Sequence, residues 1–152
     1  MLNLDKIDIS NFLPHRPPFL MVDKVLILGD DHVSTSFEIN EKCIFVKDNT
    51  FNEVGLVECA AQTCSSIVGK TYFEDDDLEG KGTKLIGFIS AIKKITVFSC
   101  PPVGATIITK AHLISRYDSD QYSISTLQCN IYEGEKELLS CQLNLFIQEV
   151  GQ

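Results

Sequence analysis

The chain has 152 residues, 44% of them hydrophobic, which suffices for one domain of ordinary size with a real core. Thirteen basic residues against 21 acidic ones leave a formal charge of −8, which argues against nucleic-acid binding through a concentrated basic face. Local basic spots at Lys93-Lys94 and Arg116 still leave room for an acidic protein partner.

In chain order, Ile7–Phe12 reads as a short helix or helical turn, stopped by Pro14, Pro17 and Pro18. Phe19–Leu28 is apolar except for Asp23 and Lys24 and reads as a strand; Gly29-Asp30-Asp31 is a hairpin turn, and His32–Ile39 alternates as the returning strand. Cys43–Asn52 holds turn formers and reads as loop with one short strand. Over Val54–Lys70, Leu56, Val57, Ala60, Ala61, Cys64, Ile67 and Val68 recur at three- and four-residue spacing, which predicts a helix. Its few charges predict that other structure wraps it. Phe73–Gly82 is polar, acidic and glycine-bearing, the composition of a mobile surface loop. Leu85–Phe98, Ala105–Arg116, Gln121–Tyr132 and Leu138–Ile147 then read as strands. The turns between them are Pro101-Pro102-Val103-Gly104, Tyr117–Asp120 and Glu133-Gly134-Glu135.

Two strands, one enclosed helix and a run of antiparallel strands make an α+β domain whose sheet curls around the helix. No repeat, linker or composition break interrupts residues 1–152, so a single domain is expected. A small sheet has edges to protect, and pairing two copies is a common solution, so a homodimer is expected.

Cys43, Cys59, Cys64, Cys100, Cys129 and Cys141 form no CxxC pair, and His15, His32 and His112 stand far apart. The sequence therefore offers no zinc site, and thiols beside apolar residues serve as small buried hydrophobes. No phosphate-binding glycine pattern is present, so no nucleotide cofactor is implied. Asp5 and Asp8 stand where a signal peptide would be basic, and no stretch is apolar enough to span a bilayer. Reduced thiols then point to the cytoplasm.

The segment Leu13-Pro14-His15-Arg16-Pro17-Pro18-Phe19-Leu20-Met21-Val22-Asp23-Lys24-Val25 resembles the N-terminal signature of the 3-hydroxyacyl-acyl-carrier-protein dehydratases. Glu58-Cys59-Ala60-Ala61-Gln62 resembles the start of their central helix, usually Glu-Ala-Met-Ala-Gln. Ile86-Gly87-Phe88 and Pro102-Val103-Gly104 match weaker positions in the later strands. The resemblance implies a hotdog fold, a double-hotdog dimer with acyl channels at its interface, and acyl-carrier-protein or other acyl-thioester substrates. Residues 40–55, where that family carries a catalytic histidine in His-Phe-Pro-Gly, hold no histidine. In this the chain is similar to a divergent branch associated with aryl-polyene and related lipid pathways.

Glu58 is the first candidate. The helix N-terminus favours its carboxylate, whereas desolvation favours the proton, and the two effects oppose. It can protonate a departing 3-hydroxyl or direct water in a thioesterase; the alternative is a surface capping carboxylate. His15 is the candidate base for the α-proton, the alternative being a structural anchor with Arg16. The two are expected to pair across a dimer interface, with Asp23 or Asp48 as substitute bases. Gln62, one turn beyond Glu58, can orient its carboxylate or serve as a packing amide. Backbone N–H groups around Val54, Gly55 and Leu56 are expected unpaired at the helix start, ready to polarise a thioester carbonyl. Gly87 and Phe88 enter as substrate-binding candidates through the resemblance. His32 and His112 lack acidic neighbours in this reading and count as structural, and Cys59 and Cys64 lack a base and count as packing. The functional expectation is a 3-hydroxyacyl thioester dehydratase. A thioesterase and a catalytically inactive acyl-binding subunit are the alternatives.

Overall fold

The computed structural model describes residues 15–70 and 85–149, together with Leu4, residues 7–9 and Leu13. The chain runs β1 (Lys24–Leu28), β2 (His32–Glu38), β3 (Val46–Lys47), β4 (Thr50–Phe51), α1 (Glu53–Lys70), β5 (Leu85–Val97), β6 (Thr106–Asp118), β7 (Tyr122–Glu133) and β8 (Lys136–Glu149). The loop expected over Phe73–Gly82 and most of the turn expected over Ile7–Phe12 lie outside the described residues. Of that turn, a helical bond from the Leu13 N–H to the Ile9 carbonyl is visible at 2.9 Å.

Six strands form one antiparallel sheet in the order β1-β2-β6-β7-β8-β5. Alternation along β6, β7 and β8 sends Ile107, Leu127, Cys129, Ile131, Cys141, Leu143, Leu145 and Ile147 inward. They meet Leu56, Cys59, Ala60, Cys64 and Ile67 of α1, all fully buried. The helix is wrapped as its composition predicts, and each fully buried Leu or Ile contributes about 1.5–3 kcal/mol. Thr35 and Thr63, both buried polar groups on this face, satisfy each other at 2.7 Å.

Three boundaries differ from the sequence reading. The first strand begins at Lys24 rather than Phe19. The Arg16 carbonyl accepts the Phe19 and Leu20 N–H groups in a turn, and the next residues bond to helix side chains instead of a strand. Cys43–Asn52 contains two short strands closed by Asp48-Asn49, at φ 52° and 63°. That is the geometry of a two-residue hairpin turn, which Asp and Asn tolerate better than other side chains. β6 runs through to Asp118, so the turn expected at Tyr117–Asp120 is pushed to its end. No helix among the described residues is long and apolar enough to cross a membrane.

The β3–β4 hairpin sets the start of the helix. Asn52 caps it: its side-chain oxygen accepts the Gly55 N–H at 2.9 Å and its carbonyl the Leu56 N–H at 3.1 Å. Gly55 is required by packing, since a Cβ there would stand 2.6 Å from the Phe51 ring and 2.8 Å from Phe45.

Candidate active site

The site grows from Gln62, which is 1% exposed. Its side-chain oxygen accepts the Met21 N–H at 2.8 Å, while its nitrogen donates to the Phe19 carbonyl at 3.0 Å and to Glu58 Oε1 at 3.3 Å. An amide has two donors and one acceptor oxygen to satisfy, and here all three roles are filled. Three residues earlier on α1, the Cys59 thiol donates to the Met21 carbonyl at 3.3 Å. The segment after Pro17-Pro18 is thus tied to α1 by side chains reaching its backbone, which is why it is not a strand.

That docking brings His15 over the helix. His15 Nε2 lies 3.7 Å from Glu58 Oε1, with the two side chains 25% and 20% exposed. The His15 ring stacks on Phe19 at 6.0 Å, and Phe19 meets Phe45 edge-on at 5.6 Å. Arg16 turns away, its guanidinium donating to the carbonyls of Leu13 and His15. The pair sits within one chain, so the expected meeting across a dimer interface is not needed to assemble it.

Proximity alone does not make these residues an ion pair. Burial pushes the Glu58 carboxyl above its ordinary 4.5, against the Gln62 hydrogen bond, which lowers it. Burial and then the Arg16 charge push the His15 imidazole below 6.5. At 3.7 Å no hydrogen bond joins them to offset desolvation, and both are displaced toward their neutral forms. His15 Nδ1 is buried with no hydrogen-bond partner. The opposition between helix terminus and desolvation at Glu58 is settled by position. With α1 beginning at Glu53, Glu58 stands in the second turn rather than the first, beyond the reach of the helix dipole. Its capping alternative also falls, because Asn52 is the cap.

The remaining candidates separate. The donors expected free at the helix start are not all free, because Gly55 and Leu56 N–H both bond to Asn52. Val54 is 60% exposed. Gly87 lies opposite Ile147 on β5 and beside Ser65, within 3.8 Å of its hydroxyl for an added Cβ. Glu58, Gln62 and Ser65 share one helix stripe, so Gly87 stands about 10 Å along the axis from Glu58. Phe88 follows on the same strand, 54% exposed. Asp23, expected as a substitute base, has its carboxylate accepting the Glu38 N–H at 2.7 Å, and Asp48, the other, is exposed at the hairpin tip. His32 does have an acidic partner, contrary to the sequence reading: adjacent Asp31 at 2.8 Å. Cys59 and Cys64 are fully buried, in keeping with packing roles, and burial pushes the Cys59 thiol up to about 12, away from the nucleophilic thiolate. No group of three or more His, Cys, Asp or Glu among the described residues is arranged to hold a metal ion.

Two features escaped the sequence reading. Asn52 as cap was legible, since Asn immediately before a periodic apolar helix is a cap signal. The backbone of Phe19 and Met21 as partners of Gln62 left no signal, because the contact spans 41 and 43 residues.

The family model of ApeP-like proteins, described as ApeP dehydratase, matches residues 7–151. The chain belongs to this family. Among curated relatives, the 3-hydroxyacyl-[acyl-carrier-protein] dehydratase FabZ of Clostridioides difficile is 26% identical over 150 residues. That match covers 85% of this chain and 92% of the relative. The enzyme of the same name from Teredinibacter turnerae is 38% identical over 74 residues, and there the match spans about half of its length, 51%. Among solved structures, the dehydratase heterocomplex ApeI:P from Xenorhabdus doucetiae superposes with a TM-score of 0.76 at 13% identity, covering 96% of this chain and 93% of that one. A hypothetical thioesterase with coenzyme A from Streptococcus pneumoniae reaches 0.60 at 10% identity, covering 85% and 88%. At such identities the likeness is one of fold, and the fold is the hotdog, a curved antiparallel sheet around one helix.

Proposed function

We propose that this ApeP-like protein dehydrates 3-hydroxyacyl thioesters carried on an acyl carrier protein, in a fatty-acid or polyene-type lipid pathway. The observation that carries the reading is the His15–Glu58 pair, 3.7 Å apart and displaced toward its neutral forms, in a chain of a dehydratase family. Neutral imidazole takes the α-proton and neutral carboxyl donates one to the β-hydroxyl, which leaves as water as the C=C bond forms. His15 then holds a proton and Glu58 has lost one, and transfer between neighbours resets the pair. Gln62 keeps the Glu58 carboxyl aimed through its 3.3 Å bond.

The second reading, an acyl-binding or partner-stabilising subunit, is supported by the absence of any histidine in residues 40–55. Incubation with 3-hydroxyacyl and enoyl carrier-protein thioesters, followed by mass spectrometry, separates the readings. Loss or gain of water is the expected result. Release of free acid marks a thioesterase, and no turnover by intact protein marks the binding subunit.

Assembly as a homodimer belongs to the same proposal. β5 is an open sheet edge of 13 residues with Phe88, Ile92 and Ile95 exposed, the kind of edge a second chain covers. Sedimentation at micromolar concentration should give twice 16.9 kDa, and a stable monomer would sink it. Cytoplasmic placement is supported by Cys43, Cys59, Cys64, Cys100, Cys129 and Cys141, all of them unpaired thiols.

A further inference from the structure

The core beneath the site is not wholly apolar. Four buried side chains with polar hydrogens meet between α1 and the sheet: Cys59 and Thr63 from the helix, Thr35 from β2 and Thr109 from β6, none more than 1% exposed. Thr35 and Thr109 face each other across the β2–β6 register, and Cys59 and Thr63 stand four residues apart on one face of the helix. The contacts match that layout. Thr35 Oγ1 lies 2.7 Å from Thr63 Oγ1, and Thr109 Oγ1 lies 3.4 Å from Cys59 Sγ. Polar groups matched in this way fix where the helix sits on the sheet, because sliding α1 would leave them unpaired in a medium of low dielectric.

Cys59 has a contact beyond this group, the Met21 carbonyl at 3.3 Å. A thiol carries one hydrogen. With that hydrogen on the Met21 carbonyl, the Thr109 hydroxyl must be the donor to the sulfur, and the polar chain runs one way from β6 through α1 to the docked segment. The relay requires a protonated thiol, and burial, which raises the Cys59 pKa to about 12, keeps it protonated. Met21 is 0% exposed and its N–H is held by Gln62 at 2.8 Å. Helix side chains therefore hold this one residue by both of its backbone groups. A short turn carries the anchor to the site: the Arg16 carbonyl accepts the Phe19 and Leu20 N–H groups, and the His15 ring stacks on Phe19 at 6.0 Å.

We propose that Cys59, backed by Thr109, is a positioning residue: it locks Met21 to α1 and the sheet, and through Met21 sets His15 over Glu58. Its part in a reaction rests on the dehydratase reading above. Burial alone would make Cys59 a packing thiol, and the bond to Met21 gives it a second role. Glu58 is its neighbour on the same helix, so one anchor fixes the base-bearing segment relative to the acid.

The first test is an NMR titration of the His15 ring in the protein without substrate, which needs no turnover. Arg16 beside it and Glu58 from α1 are the charged groups at His15 among the described residues. Cys59→Ala alters neither, so a moved titration reports position. With the Met21 carbonyl released, His15 loses cover and its pKa should rise toward 6.5. Cys59→Ser, which puts a hydroxyl donor in place of the thiol, should bring it back. Thr109→Val, which removes the hydroxyl and keeps the branched shape, should move it the same way by less. In steady-state assays Cys59→Ala should lower kcat about tenfold with KM unchanged, and the acid limb of the rate should move up with His15. An unmoved His15 titration in Cys59→Ala overturns the proposal. Where that variant does not fold, an unmoved titration in Thr109→Val overturns it instead. A Cys59→Ser protein that behaves as Cys59→Ala also overturns it and leaves Cys59 as packing. A moved titration with no turnover by the unaltered protein supports the positioning role and overturns the dehydratase reading alone.

Discussion

Two histidine–carboxylate pairs stand among the described residues, and they behave in opposite ways. His15 and Glu58 are 3.7 Å apart with side chains 25% and 20% exposed, while His32 and Asp31 are 2.8 Å apart with side chains 55% and 77% exposed. In the first pair burial acts on both groups, raising the acid and lowering the base. In the second, the hydrogen bond from His32 dominates and pulls the Asp31 carboxyl below its ordinary 3.8. A histidine beside a carboxylate thus yields a pair poised for neutral proton exchange where both are largely buried, and a fixed hydrogen-bonded carboxylate where both are exposed. Geometry alone would rank them the other way, since the exposed pair is the closer one.

The largest effect expected from this contrast is on turnover. His15→Ala and Glu58→Gln should each lower kcat by about two or more orders of magnitude, the range for acid–base groups. His32→Ala should stay within about twofold, in keeping with a group outside the chemistry. Sedimentation and circular dichroism must show all three folded alike, and a fully active His15→Ala would break the comparison. In the unaltered protein, rate should fall in acid as His15 gains its proton at a pH below 6.5. It should fall again as pH rises through the Glu58 value above 4.5. Glu58→Gln should abolish the second of these limbs.

A smaller effect should come from the frame that holds the buried pair. Gln62→Ala leaves the Met21 N–H and the Phe19 carbonyl without their partner. An unsatisfied buried donor costs about 1–3 kcal/mol, measurable as a shift in urea midpoint. Its second readout is kinetic: with Glu58 no longer aimed, kcat should drop while KM holds. Loss of stability with kcat intact would make Gln62 a packing amide.

The smallest effect separates the pairs by sign. Glu58 has a raised folded-state pKa, so its contribution to stability is full below pH 4.5 and is lost as pH rises through the folded value. Glu58→Gln should therefore gain on the unaltered protein as pH increases. Asp31 has a lowered one, so its contribution is present above pH 3.8 and is lost as pH falls through the folded value. Asp31→Asn should be slightly the less stable protein at neutral pH and should converge with it in acid. Thermal melts from below the ordinary Asp31 value of 3.8 to well above the ordinary Glu58 value of 4.5 read both slopes. Parallel slopes would mean that burial does not distinguish the pairs.

The sequence by itself determined most of the architecture, because the signals concerned are local. Three- and four-residue spacing marks α1, alternation marks β6 to β8, and Gly104 and Gly134 sit in turns at φ 93° and 60°. Glu58 and Gln62 were also legible together, since four residues apart on a helix places them on one face. Tertiary structure decided the rest. That Phe19–Val22 would leave the sheet depended on an amide 41 residues away taking the Met21 N–H, and hydropathy, which reads the segment as strand, carries no record of such a partner. That His15 reaches Glu58 within one chain follows from the same docking. Which of the two His–carboxylate pairs is dehydrated depends on what covers each side chain, and burial is a property of the folded whole that no spacing along the chain encodes.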